Sequence, residues 1–181
     1  LSGPIAFAMG DDWRVVFAIF AGTAFTLAVI AFVMLPAGMA TDRRGERGGL
    51  PPFHANLVRL IGAAFLMGAS STALWSFGGE IATMRLDWST RGIGLLWIAI
   101  GAAGVIGAAA GWLTARMGIN AVHRLFLVAL AASIGMTGLT FTTPALTLVG
   151  GALFGAAYVM LTGVYLVWGT AALPDRPGTG L

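Results

Sequence analysis

GWLTARMGINAVHR, residues 111–124, joins two long apolar runs and gathers Gly111, Arg116, Gly118 and Arg124 into one short connection. What it is depends on what it connects. Gly92 to Leu113 and Leu125 to Phe141 carry no charged residue. An α-helix rises about 1.5 Å per residue, so about 20 apolar residues cross the roughly 30 Å of bilayer hydrocarbon. Trp13 to Leu35, Leu57 to Gly79 and Ala145 to Trp168 qualify as well. Among the last four runs the one charge is Arg59, near an end where its guanidinium can reach the headgroups. Leu1 to Met9 reads as the end of a further span. Helices are expected because each satisfies its own backbone hydrogen bonds, which an open strand in lipid cannot do.

Composition agrees. The 181 residues are 58% hydrophobic and 9% charged, against about 25% charged in soluble domains. There is too little polar surface to cover a soluble globule. Twenty-seven glycines suit close packing between membrane helices. The absence of cysteine excludes disulfides, thiolate metal sites and cysteine nucleophiles. All ten basic residues are arginine, which points to a GC-rich genome more than to a mechanism. A net charge of +3 is no nucleic-acid signal. The opening LSGPIAFAMG has neither the basic start nor the cleavage site of a signal peptide, and the chain reads as an internal fragment.

The connections set an orientation. Residues 37–56, AGMATDRRGERGGLPPFHAN, form a polar loop; 80–91 and 114–124 are shorter, and TTP at 142–144 is a bare turn. With 37–56 in the cytoplasm, Arg43, Arg44, Arg47, Arg59, Arg116, Arg124 and Arg176 lie inside, and Arg14, Arg85 and Arg91 outside. Seven against three follows the positive-inside rule.

The spans differ in their faces. Gly151, Gly155, Tyr158, Thr162 and Tyr165 share one helical stripe, as do Gly68, Thr72, Ser76 and Gly79, with Ser71 and Trp75 beside them and Glu80 one turn beyond Ser76. Gly101, Gly104, Ala108 and Gly111 form a small-residue ridge suited to close packing. Residues 125–139 and 15–35 are apolar nearly all round and suit lipid. Three spans therefore look inward and two outward.

Within the opening stretch, GWLTARMG resembles the loop signature of the major facilitator superfamily: a glycine, three residues, an acid, a basic residue, one residue and a glycine. Gly111, Arg116 and Gly118 match, and Ala115 stands where the acid would be. Such a degenerate copy is expected on the cytoplasmic side between helices eight and nine. SGPIAFAMGDDWRVVF at 2–17 looks like the end of helix five and the opening of helix six, and LFGAAYVMLTGVYLVWGTAALPDR at 153–176 looks like helix ten and its cytoplasmic end. The resemblance implies an all-α, polytopic transmembrane helix bundle with part of that family's fold. Residues 1–36 would close the first-half bundle, 37–56 would be the cytoplasmic loop between halves, and 57–181 would open the second half. It also implies that residues 57–79 and 145–168, the two spans with polar stripes, line the cavity.

No enzyme constellation, metal-ligand spacing or phosphate loop is present, so no catalytic residue, metal or cofactor is expected. The substrate-cavity candidates are Thr72, Trp75, Ser76, Glu80, Tyr158, Thr162 and Tyr165. Each has a plainer reading. The hydroxyls can tie helices together, and the aromatic rings can be ordinary packing. Glu80 can hold a cation or coupling proton, or sit among the headgroups paired with Arg85 or Arg91. His123, beside Arg124, reads as an interfacial residue at a helix start. Arg116 can lock the inner face or simply anchor its loop.

The expectation is a multi-pass transporter in a bacterial inner (plasma) membrane, moving a small organic solute by alternating access coupled to protons. Its partners would be the lipid bilayer, the solute and the missing first-half helices of the same polypeptide, with no nucleic acid. The alternative is a small accessory membrane protein that binds partner helices through its glycine ridges.

Overall fold

The computed structural model describes residues 13–34 and 54–173. The Leu1–Met9 run, the interhalf loop up to residue 53, and Arg43, Arg44, Arg47 and Arg176 lie outside the described residues. Every described segment of regular structure is helical. Among the described residues five helical segments are long and apolar enough to cross a membrane, the build of a membrane-spanning helical protein.

The chain divides into two units. In the first, α1 (Trp13–Met34) is apolar around its circumference, exposing Phe17, Phe25 and Phe32. Its two threonines are satisfied within the helix: Thr23 donates to the Ile19 carbonyl and Thr26 to that of Gly22, both at 2.8 Å. That arrangement leaves no bare hydroxyl to face hydrocarbon.

The second unit holds α2 (Ala55–Leu86), α3 (Thr90–Gly104), a 3₁₀ stretch (Val105–Ala109), α4 (Ala110–Met117), α5 (Ile119–Gly138) and α6 (Pro144–Ala172). The segments from Thr90 to Met117 form one continuous span. Two expected connections are shorter than their polarity suggested. Residues 80–86 (EIATMRL) contain no helix breaker, so α2 continues to Leu86 and turns at Asp87, whose φ of 50° lies in the left-handed region that aspartate tolerates. The expected loop at 114–124 reduces to Gly118 between α4 and α5. Thr143 caps α6, accepting from the Leu146 amide at 3.2 Å, with Pro144 in the first turn.

The innermost helix is α6, in contact with every other element of the unit. Phe154, Ala157, Met160, Leu161 and Val164 are buried against its neighbours. The approach of the span Thr90–Met117 to α6 is set by glycine. A Cβ on Gly155 would meet the backbone carbonyl of Ile100, and one on Gly107 would lie 2.8 Å from the carbonyl carbon of Val159. Small residues allow this close contact, which lipid-embedded helices use for cohesion. The expected ridge is only partly right. Gly104 is buried, but Gly101, Ala108 and Gly111 are exposed, and the packed line runs Ile100, Gly104, Gly107, Ala110, Thr114. The reason is the 3₁₀ stretch: with three residues per turn in place of 3.6, the buried side moves onto Gly107 and Ala110.

Helix α5 exposes Leu125 and Val128, as expected of a lipid-facing span, yet packs Val122, Leu130, Ser133 and Thr137 inward. A threonine methyl and the Ser133 carbonyl lie close to Gly150 of α6 at that contact.

Candidate functional site

Two of the seven cavity candidates meet in an aromatic cluster between α2, α3 and α6. Trp75 stacks on Trp97 with centroids 5.6 Å apart and planes 13° from parallel. It meets Phe154 and Tyr158 edge-on, each at 5.6 Å. Phe154 and Tyr158, one turn apart on α6, stack at 5.7 Å. Phe154 is fully buried, whereas Trp75 is 44% exposed, so the cluster has a closed end and an open one. Its open end presents an aromatic surface on which an organic solute or a cation can stack. Trp97 and Phe154 were not among the sequence candidates. Their membership depends on how three helices meet, which no single periodicity displays.

Thr72, Ser76 and Glu80 follow one another at successive turns of α2, and all three are exposed. Thr72 donates to the Gly68 carbonyl at 3.0 Å. Glu80 lies on α2 itself, not in a loop, about 9 Å from its C-terminal end at 1.5 Å per residue. It pairs with neither Arg85 nor Arg91, and among the described residues has no hydrogen-bond or ion-pair partner. Arg85 instead donates to the Leu139 carbonyl at 3.3 Å, closing the end of α5. Thr162 of α6 is exposed, with its hydroxyl on the Tyr158 carbonyl at 2.9 Å. The plainer reading, that the hydroxyls tie helices together, is not what the serines and threonines here do: those of Ser70, Ser71, Thr72, Thr83, Thr114, Ser133, Thr137 and Thr162 bond their own helices' carbonyls.

The seventh candidate, Tyr165, belongs to a different centre. It is only 8% exposed, and its hydroxyl donates to the Ala63 carbonyl of α2 at 3.3 Å. His123 Nε2 of α5 lies 3.1 Å from the same oxygen. With the tyrosine proton directed at Ala63, the phenolic oxygen accepts from Nε2–H. The His123 ring also meets Trp168 at 5.7 Å, and Trp168 Nε1–H donates to Asn56 Oδ1 at 2.9 Å. Thus α2, α5 and α6 are tied at one end by side chains. His123 is not the simple interfacial residue that its neighbour Arg124 suggested. A signal was present: His123, Phe126, Leu127, Leu130 and Ile134 share one face of α5, and all are at least partly buried.

In the connection 111–124, Gly118 has φ +82° and ψ 149°, a region open in practice to glycine alone. It ends α4 and starts α5. Arg116 lies over the Trp112 ring, 5.2 Å from its centroid. Gly111 is helical and exposed, and open space surrounds the place a Cβ would take. Of the three motif residues, Gly118 makes the turn, Arg116 stacks on its own helix, and Gly111 has no part in either.

No cluster of three metal-ligating side chains occurs among the described residues. No family model matches the chain, nor does any curated protein or solved structure.

Proposed function

We propose that this chain is part of a secondary active transporter of the major facilitator superfamily, located in a bacterial inner membrane. It would move a small organic solute by alternating access, with protons as the coupling ion. The observation that carries the reading is the exposed polar face of α2. Ser76 and Glu80, neither with a hydrogen-bond or ion-pair partner among the described residues, stand in line with Thr72 on a helix whose composition is that of a membrane span. Lipid is a poor solvent for such a face, and an ionisable group within a span points to water or to a polar partner. An aqueous cavity shared with further helices supplies both. The aromatic cluster adds a surface for an organic solute, with Trp75 and Tyr158 at its accessible end.

The rival reading, an accessory protein that binds partner helices, has one observation in its favour. Gly101, Ala108 and Gly111 remain exposed on the span Thr90–Met117. Solute flux in cells expressing the full reading frame tests the two. Tyr158→Ala and Trp75→Ala variants, matched for expression, should lose most uptake or efflux under an imposed proton gradient. Full flux in both variants would remove these residues from the solute path.

A further inference from the structure

A groove of about 910 Å³ lies between α2 and α5, and neither Thr72, Ser76 nor Glu80 lines it. Gly62, Leu66 and Ser70 line it from α2, and Leu127 and Ile134 from α5, so its wall is largely apolar. Arg59 and His123 lie at one end. His123 is engaged with Tyr165, but Arg59 is exposed and has no hydrogen-bond or ion-pair partner among the described residues.

We propose that this groove holds an acyl chain of an anionic phospholipid whose phosphate is bound by Arg59. Length supports the tail. From Arg59 to Ser70, and equally from His123 to Ile134, eleven residues of helix extend about 16 Å. That matches one leaflet, about half of the roughly 30 Å hydrocarbon core. Charge supports the head. A guanidinium without a partner, at the end of an apolar channel, complements a phosphate and offers it two parallel donors. A basic side chain between membrane helices is a known chemistry for anionic headgroups. The glycine at 62 leaves room: a Cβ there meets nothing within 4 Å. A zwitterionic headgroup carries its own cation beside the phosphate and so holds Arg59 less strongly than an anionic one, and a soluble anion would leave the apolar wall unused.

The test is native mass spectrometry of the protein in mild detergent, with equimolar phosphatidylglycerol and phosphatidylcholine of identical acyl chains. Phosphatidylglycerol adducts should exceed phosphatidylcholine adducts by about tenfold or more. Arg59→Gln should bring that ratio near one, while Arg116→Gln, which changes a cation elsewhere, should leave it. Gly62→Phe should remove both adducts by filling the channel and keeping the cation. Both positions are unencumbered, and unchanged helical circular dichroism checks that each variant folds. Equal adducts of the two lipids in the parent protein would overturn the proposal. So would an undiminished ratio in Arg59→Gln, retained lipid in Gly62→Phe, or a second copy of the chain displacing the lipid.

Discussion

Replacing Gly155 by alanine adds one methyl group where α6 meets the helix of Ile100. Built on the existing backbone, that methyl overlaps the Ile100 carbonyl oxygen, and it lies 2.7 Å from the carbonyl carbon and 2.9 Å from Cα. Ordinary contact begins near 3.4 Å, so the carbonyl carbon alone must recede by about 0.7 Å and the oxygen by more. No flexible side chain can absorb this, because every offending atom is backbone. The helices must part along a contact that also includes Gly104, Gly107 and Gly151. Overpacking of this kind costs about 1–3 kcal/mol. The better helix propensity of alanine returns at most about 1 kcal/mol; since rigid backbone puts the clash at the upper end of that range, a net loss of about 2 kcal/mol remains. Gly111→Ala is the internal control: its methyl meets nothing within 4 Å, so only the propensity gain applies. Reversible unfolding in mixed detergent micelles, followed by tryptophan fluorescence, measures both. A Gly155→Ala protein as stable as the parent would refute the close backbone approach, and with it the reason for glycine at that position.

Gly118→Ala forces a φ of +82° with ψ near 150° on an L side chain, a strain of about 1–3 kcal/mol; the α4–α5 connection should become cleavable by proteases that leave the parent intact. Tyr165→Phe removes the hydroxyl shared by His123 and Ala63 and should lower unfolding stability by roughly 0.6–1 kcal/mol, with Tyr158→Phe as the comparison, since none of the hydrogen bonds here uses that hydroxyl as donor. Trp75→Ala removes three ring contacts, each worth about 0.5–1.5 kcal/mol. It should cost roughly 2–4 kcal/mol by the same unfolding assay, and no loss would show that the cluster does not hold α2 to α3 and α6. Arg116→Ala, which loses a single exposed cation–π contact, should change stability by about 0.5–1 kcal/mol at most.

The spans were legible because run length and low charge density are enough to mark a helix in lipid. The end of α2 was not. Glu80 and Arg85 look like loop residues when hydropathy alone is read, but propensity carries the helix past them to Asp87. The ridge from Gly101 to Gly111 was read with a uniform 3.6-residue period, and five residues of 3₁₀ helix changed its register. In the site, Trp75 and Tyr158 were found from their stripes. Trp97 and Phe154 come from tertiary packing, and the His123–Tyr165 contact joins residues 42 positions apart. The positive φ of Gly118 makes the turn within the connection 111–124, in which Gly111, read from the ridge and from the resemblance, takes no part.

The central claim is that the exposed face of α2 lines a water-filled path, and the absence of cysteine from this stretch makes it directly testable. Single cysteines at Thr72, Ser76, Glu80 and Thr162, in a cysteine-free background of the full reading frame, would be reacted with a membrane-impermeant maleimide. Cysteines at Phe25 and Val128, exposed apolar positions on other helices, are the lipid-facing controls. The account predicts labelling at Ser76 and Glu80 that changes when a proton gradient is imposed, with Phe25 and Val128 unreactive. Ser76 and Glu80 positions as unreactive as the controls, with and without the gradient, would contradict it and leave the face as a contact for a partner helix.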